Sequence, residues 1–263
     1  MRIALGLEYD GAAFCGWQTQ PGGCGVQDHL QQALGRLAAA PIEVTAAGRT
    51  DAGVHATAQV VHFDTEVARD EASWVRGTNT YLDARARVVW AKEVSADFHA
   101  RYSATARTYH YLLMNEPVAP ALLHGRVGWF HRPLDAAAMD AEARTLVGEH
   151  DFTSFRDAQC QAKSPVRELR EAKVERHGNL LVFRFTANAF LHHMVRNLVG
   201  ALVYVGCERE PRGWLKQLAA RRDRREAAPT FMPDGLYLTR VQYDAAFALP
   251  AFRAPAISAL SLA

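Results

Sequence analysis

The amino-acid sequence predicts an α+β protein built of two ferredoxin-like halves with mixed or antiparallel sheets. Three observations lead there. Strand and helix periodicities follow one another as β-α-β-β-α-β over the first hundred residues, the order of that arrangement. The same alternation returns in the remaining residues. A chain of 263 residues with 49% hydrophobic content also suffices for two cores of ordinary domain size.

The elements read in order as follows. Ile3–Tyr9 (IALGLEY) is a strand, and Val26–Ala39 sets Val26, Leu30, Ala33, Leu34 and Leu37 on one helical stripe. Ile42–Ala46 is a short strand, Val60–Phe63 another, Arg69–Thr78 a short helix and Ala86–Ala91 a strand. In the second half Arg107–Met114 is a strand and Asp135–Val147 a helix. Val166–Glu175 and Leu180–Thr186 are strands joined by the turn His177-Gly178-Asn179. Phe190–Val205 is a strong helix, a polar helix lies near Arg212–Arg222, and Leu236–Gln242 closes as a strand. The boundary is expected near Ser95–Thr105, giving a first domain of 1–100 and a second of 101–263, with the active cleft between them. Ala245–Ala263 shows no periodicity.

The formal net charge of +2 hides an asymmetry, since residues 1–100 carry 8 basic and 12 acidic side chains and 101–263 carry 22 and 16. The basic residues of the second half are mostly arginines, among them Arg167, Arg170, Arg176, Arg184, Arg196 and the run Arg221, Arg222, Arg224, Arg225. Arginine suits bidentate contact with phosphate, so the asymmetry points to nucleic acid. The competing reading is that the run after Trp214, Leu215 and Leu218 is the solvated end of a helix.

Other features exclude classes. No apolar run reaches the roughly 18 residues of a membrane span. The start MRIALGLEYDG lacks the pattern of a signal peptide. Cys15, Cys24, Cys160 and Cys207 form no C-x-x-C pair, so reduced thiols in a soluble cytoplasmic protein are expected rather than a disulfide framework or a zinc site.

The chemistry concentrates in Gly48-Arg49-Thr50-Asp51-Ala52-Gly53-Val54-His55-Ala56, a connection between two predicted strands. Glycines there allow sharp turns and close approach of a ligand. On composition alone an ordinary turn, with Asp51 bonding its own backbone and Arg49 solvated, is the better reading.

That segment resembles the signature of the tRNA pseudouridine synthase A family. Further matches follow in consistent order: Glu8-Tyr9-Asp10-Gly11 with Phe14-Cys15-Gly16-Trp17-Gln18, then Phe98-His99-Ala100-Arg101 through Ser103-Ala104-Thr105-Ala106-Arg107. Tyr109-His110-Tyr111, His150-Asp151-Phe152-Thr153-Ser154-Phe155, Asn188 to Asn197 and Asp234-Gly235-Leu236-Tyr237-Leu238 complete the set. The resemblance implies a pseudouridine synthase fold and isomerisation of uridine in the anticodon stem-loop of tRNA, at positions 38, 39 and 40. It also implies a homodimer with tRNA bound across both subunits.

Making pseudouridine breaks the bond between uracil N1 and ribose C1′, turns the base and rejoins it through C5. No electrons are gained or lost, so no redox cofactor and no nucleotide cofactor is needed. An ionised carboxylate can add to an electron-poor carbon or stabilise positive charge on the sugar. The resemblance assigns that role to Asp51, leaving open attack at C1′, attack at C6 or action as a base at C2′. A nearby arginine keeps a partly buried carboxylate charged, and the resemblance makes Arg196 the partner. Tyr109 alternates with Tyr111 on its strand. The resemblance singles out Tyr109 as the ring that packs on the target base and helps remove the C5 proton, while Tyr111 remains a core residue. A stacked uridine must be extruded at a cost of a few kcal/mol, and the resemblance gives that work to Arg49. His192 and His193, near a helix N-terminus, are candidates to meet RNA phosphate, with structural histidines as the competing reading.

Two segments depart from the family pattern: Asn79–Ala86, where Asp83 and Arg85-Ala86 replace the usual proline and Asp-Ile, and Thr230-Phe231-Met232-Pro233. Rival functions fit less well. A non-catalytic RRM-like RNA-binding protein accounts for the basic half and the strand order, but no RNP1-like aromatic run occurs. A zinc deaminase requires H-x-E followed by P-C-x-x-C. The chain has neither, and no metal is expected.

Overall fold

The structure is a computed structural model that describes residues 1–252. Its strands in chain order are β1 (Arg2–Tyr9), β2 (Thr45–Ala46), β3 (His55–Asp64), β4 (Ala86–Val94), β5 (Ala104–Asn115), β6 (Gly128–Phe130), β7 (Gly148–Asp151), β8 (Val166–His177), β9 (Leu180–Ala187) and β10 (Leu236–Tyr243). The α-helices are α1 (Val26–Ala38), α2 (Glu71–Tyr81), α3 (Ala136–Arg144), α4 (Met194–Gly206) and α5 (Trp214–Arg221). The described residues form two compact units, Met1–Thr105 with 237–252, and Ala106–Leu236. Of the tail Ala245–Ala263, residues 253–263 lie outside the described residues.

In the first unit the expected β-α-β-β-α-β order holds. β1 is central, antiparallel to β3 on one side and β4 on the other, and β2 is antiparallel to β3. Ile3 to Leu7 are buried at every position, as in a strand covered on both faces. Ala4, Val60, Trp90 and Phe98 form one cluster, against which Val241, Tyr243, Phe247 and Leu249 of the C-terminal segment pack. Trp74 of α2 packs edge-on to Phe63 of β3, with ring centroids 5.2 Å apart. β10 pairs parallel with β3 through Tyr237 opposite His55 and Leu238 opposite Ala56.

The strand expected over Ile42–Ala46 shrinks to Thr45–Ala46. The side chains of α1 explain it: Gln31 accepts the Val44 N–H at 3.0 Å and Gln27 donates to the Val44 carbonyl at 3.4 Å, so a helix takes the bonds a strand partner would make.

The second unit orders its strands β5-β9-β8-β7, antiparallel throughout, with β6 parallel to β5. Tyr111, Phe152, Phe155, Phe183 and Phe185 fill its core. β6 and β7 were not expected; one has three residues, and the other reads Gly-Glu-His-Asp with no apolar alternation. The helix expected from Phe190 begins only at Met194, because His193 takes a left-handed backbone (φ 60°). The Asp157 N–H binds the His192 carbonyl at 3.1 Å and holds the preceding residues out of the helix.

The expectation of reduced thiols is corrected at one pair. Cys15 and Cys24 form a disulfide, their Cα atoms 5.4 Å apart. The Cys15 N–H also donates to the Cys24 carbonyl at 3.0 Å, so a tight loop brings the two together without any C-x-x-C spacing. Cys160 and Cys207 are free.

Candidate active site

Asp51 sits half-buried on the connection between β2 and β3, and Arg49 on the same connection is exposed. Asp51 opens a tight turn in which the Val54 N–H donates to the Asp51 carbonyl at 3.1 Å. Gly53, third in that turn, has φ +79°, a conformation that disfavours a side chain. The segment is thus a turn, but one tied to its surroundings on several sides. The Trp17 N–H donates to the Thr50 carbonyl at 2.9 Å. Gln59 of β3 donates to the Gly48 carbonyl at 2.7 Å, and the Tyr9 hydroxyl lies 2.8 Å from the Thr50 hydroxyl. Just beyond, buried His55 accepts the Gly11 N–H on Nδ1 at 3.1 Å and stacks on Tyr237, centroids 4.4 Å apart. This backbone is held more firmly than a surface turn requires.

The remaining candidates lie in the second unit. Tyr109 on β5 is buried, its ring edge-on to Phe190 at 5.2 Å. Tyr111, two residues on, is fully buried and its hydroxyl donates to the Met232 carbonyl at 3.0 Å. Burial, and then the Asp234 carboxylate, push that phenol well above its ordinary pKa, so it stays a neutral core residue. Arg196, in the first turn of α4, is half-buried and donates through Nε to the Phe231 carbonyl at 2.8 Å. The unusual Thr230–Met232 segment therefore serves Arg196 and Tyr111 through backbone oxygens, which any side chain there would leave in place. In the other departing segment, Asp83 pairs with Arg85 at 2.9 Å.

His192 and His193 stand just before and at the start of α4, their rings 3.9 Å apart. His193 Nδ1 lies 2.8 Å from one oxygen of Asp157, and His192 Nδ1 lies 3.5 Å from the other. Burial works to raise the pKa of Asp157, but bonds from the Gln159 N–H and from His193 outweigh it and hold the carboxyl below its ordinary range. Asp157 was not foreseen; nothing in Arg156-Asp157-Ala158 distinguishes it from a surface loop. Asn197, one residue beyond Arg196, was also passed over. Fully buried, it donates to the Phe155 carbonyl at 2.8 Å and accepts from Arg224 at 3.0 Å and Thr230 at 2.7 Å.

The arginine-rich composition resolves largely into structural pairs. Arg225 pairs with Asp223 at 2.6 Å, Arg222 with Asp151 at 3.3 Å, and Arg221 with Glu226. Arg224 turns inward to Asn197 and the Ala228 carbonyl. Arg170 pairs with Glu168, Arg184 with Glu171, and Arg176 donates to Asn115 and to the Leu134 carbonyl. A net positive half is therefore a poor measure of phosphate-binding surface here.

Fold and loop together define an α+β enzyme whose candidate catalytic group is a carboxylate on a braced inter-strand connection. The family model described as tRNA pseudouridine synthase matches residues 7–103 and 143–244. The chain belongs to that family. It is 56% identical over 250 residues to tRNA pseudouridine synthase A of Methylobacillus flagellatus, covering 95% of this chain and 96% of that one. It is 57% identical to the protein of that name from Thiobacillus denitrificans, over 95% and 96% of the two chains. With that of Burkholderia vietnamiensis the identity is 59%, over 95% and 93%.

Proposed function

We propose that the protein isomerises uridine to pseudouridine in the anticodon stem-loop of tRNA, at positions 38, 39 and 40, with the Asp51 carboxylate as the catalytic group. The supporting observation is the seat of Asp51, half-buried on a loop whose backbone is tied to β3 and the Gly16-Trp17 turn and whose Thr50 side chain bonds Tyr9 of β1. Positioning of this kind supplies much of what a unimolecular rearrangement needs. In the reaction the N1–C1′ bond breaks, the base turns, C5 bonds to C1′, and the C5 proton leaves as N1 gains one. Nothing is imported, so the reaction calls for no cofactor.

In this reading Arg196 supplies positive charge to the reacting site, and Tyr109 packs on the base and assists loss of the C5 proton. Arg49, exposed on the same loop as Asp51, fills the gap left by the extruded uridine. His192 and His193 meet phosphate at the start of α4. The active form is a homodimer that works in the cytoplasm. No helix among the described residues is long and apolar enough to cross a membrane.

The deciding experiment incubates the purified protein with unmodified tRNA and maps the new pseudouridines. Wild type is expected to modify positions 38 to 40, with EDTA present or absent, whereas Asp51→Asn binds tRNA and leaves uridine unchanged. Turnover by Asp51→Asn removes the carboxylate from its role, and loss of wild-type activity in EDTA reopens a metal mechanism.

A further inference from the structure

We infer that Tyr9 and Gln59 are positioning residues that set the catalytic loop, acting on Asp51 through Thr50 and Gly48. The inference rests on the proposed role of Asp51 and extends it to two strand residues behind the loop.

The geometry fixes the donors and acceptor at Gln59. The Gln59 side-chain oxygen accepts the Val60 N–H at 3.2 Å, so its amide nitrogen must face the other way. That nitrogen has two hydrogens; one goes to the Gly48 carbonyl at 2.7 Å and the other to the Tyr9 hydroxyl at 3.4 Å. The Tyr9 oxygen, which accepts from Gln59, also lies 2.8 Å from the Thr50 hydroxyl, a bond in which either group can donate. Burial, opposed by the bonds with Thr50 and Gln59, pushes the Tyr9 phenol up to about 12, so it remains a donor at every working pH. Gln59 is fully buried, Tyr9 and Thr50 nearly so. Two of the three residues ahead of Asp51 are thus tied to the sheet by one connected chain of bonds.

β-sheet register explains why these two residues meet. Leu7 lies opposite Gln59, but the pairing slips between Leu7 and Tyr9, which lies opposite Ala56. The irregularity re-aims Tyr9 toward the loop, as bulges near active sites do. A buried tyrosine and glutamine in a strand otherwise add little to a core, because each polar atom must find a partner. Here every partner belongs to the catalytic loop, to the other brace residue or to the strand backbone.

The test compares Tyr9→Phe, Thr50→Val, their double variant and Gln59→Leu with wild type, under saturating tRNA and at a temperature well below unfolding. Val88→Ala, a core change in β4 of the same unit, serves as a stability control. A misplaced reacting group can cost up to about 100-fold in rate, so the expected result is a kcat loss of about tenfold or more in Tyr9→Phe and Thr50→Val. KM for tRNA should stay within about twofold, since ground-state binding is untouched. The double variant should be no slower than the slower single one, because both changes break one chain. Val88→Ala should lower Tm as much while retaining kcat.

The inference is overturned if Tyr9→Phe keeps wild-type kcat, if the two losses multiply, or if Val88→Ala loses rate in proportion to Tm as the brace variants do. Asp51→Asn, assayed alongside, separates the two levels. An active Asp51→Asn sinks the catalytic assignment, whereas an inactive Asp51→Asn beside a fully active Tyr9→Phe sinks only the brace.

Discussion

The backbone N–H of Trp17 donates to the carbonyl oxygen of Thr50 at 2.9 Å, so the residue ahead of the candidate catalytic carboxylate is anchored to a segment distant in sequence. Gly16 makes this approach possible. Its φ is +94°, and a Cβ built on it would stand 2.9 Å from the Thr50 carbonyl oxygen and 3.1 Å from the carbonyl carbon of Asp51. Both neighbours are backbone and cannot swing aside. Gly16→Ala should therefore displace the loop and lower kcat by about tenfold or more, on the scale of misplaced catalytic groups. Its stability cost should be about 1–3 kcal/mol for a side chain in that conformation. Steady-state kinetics and urea unfolding check the two; a variant with normal kcat would show that the loop tolerates the shift.

Arg49 is exposed while the rest of its segment is tied down, which suits a residue that acts only when RNA arrives. Arg49→Ala should slow conversion of a uridine paired in a stem more than that of an unpaired loop uridine, because extrusion costs a few kcal/mol only where stacking and pairing must be broken. Single-turnover rates on two stem-loop substrates measure the difference. Equal slowing would assign Arg49 to general binding.

Asn197 ties α4 to two other segments, and each of its bonds joins groups in or near the core. Asn197→Leu keeps the volume but strands the Phe155 carbonyl and removes an acceptor from the Arg224 guanidinium. Such a loss should cost about 2–4 kcal/mol, above the usual range for neutral groups because a charge is involved. Chemical denaturation reads it directly, and a loss under about 0.5 kcal/mol would mean that water replaces the bonds.

These residues also mark what the sequence made legible. The alternation of Leu181, Phe183 and Phe185 and the stripe of α1 are local signals that led to the right elements, and the Gly48–Gly53 segment connects two strands as its composition predicts. The start of α4 was not legible, because Phe190-Leu191-His192-His193 carries no capping or breaking residue, and the left-handed His193 and the Asp157 bonds that delay the helix leave no local pattern. The partners of the arginines were not legible for a similar reason. Arg176 finds its partner in Asn115, 61 residues away, and no local pattern records that pairing. Tyr9 ends the expected strand Ile3–Tyr9 and Gln59 falls just outside the expected strand Val60–Phe63, so neither pointed to the loop where the register slip brings them.

The Cys15–Cys24 disulfide closes a loop of 9 residues' separation, which by chain entropy stabilises the folded state by about 2–3 kcal/mol. Thiol titration of the unfolded protein should find two reactive groups without reductant and four after reduction. Reduction should lower stability by that amount and loosen the turn that carries Gly16 and Trp17. Four thiols in the unreduced protein would show that the pair stays open.

Stability should also respond to pH through His62. Burial, then the nearby His99 and Arg2 charges, push its pKa down to about 4, and its Nδ1 accepts the Ala100 N–H at 3.1 Å, which requires the neutral ring. An unfolded histidine titrates near 6.5. Between those values the unfolded chain binds the extra proton, so stability rises with pH across the window and levels off above it. Lowering the pH from 7 to 5 should therefore weaken the fold, before most carboxylates titrate. His110, lowered to about 4 chiefly by burial, contributes in the same direction. In His62→Asn the amide oxygen can still accept the Ala100 N–H but does not titrate, so the slope of unfolding free energy against pH should become shallower. Urea unfolding at pH 7, 6 and 5 on both proteins decides the matter, and identical slopes would show that His62 is protonated in the folded state as readily as in the unfolded one.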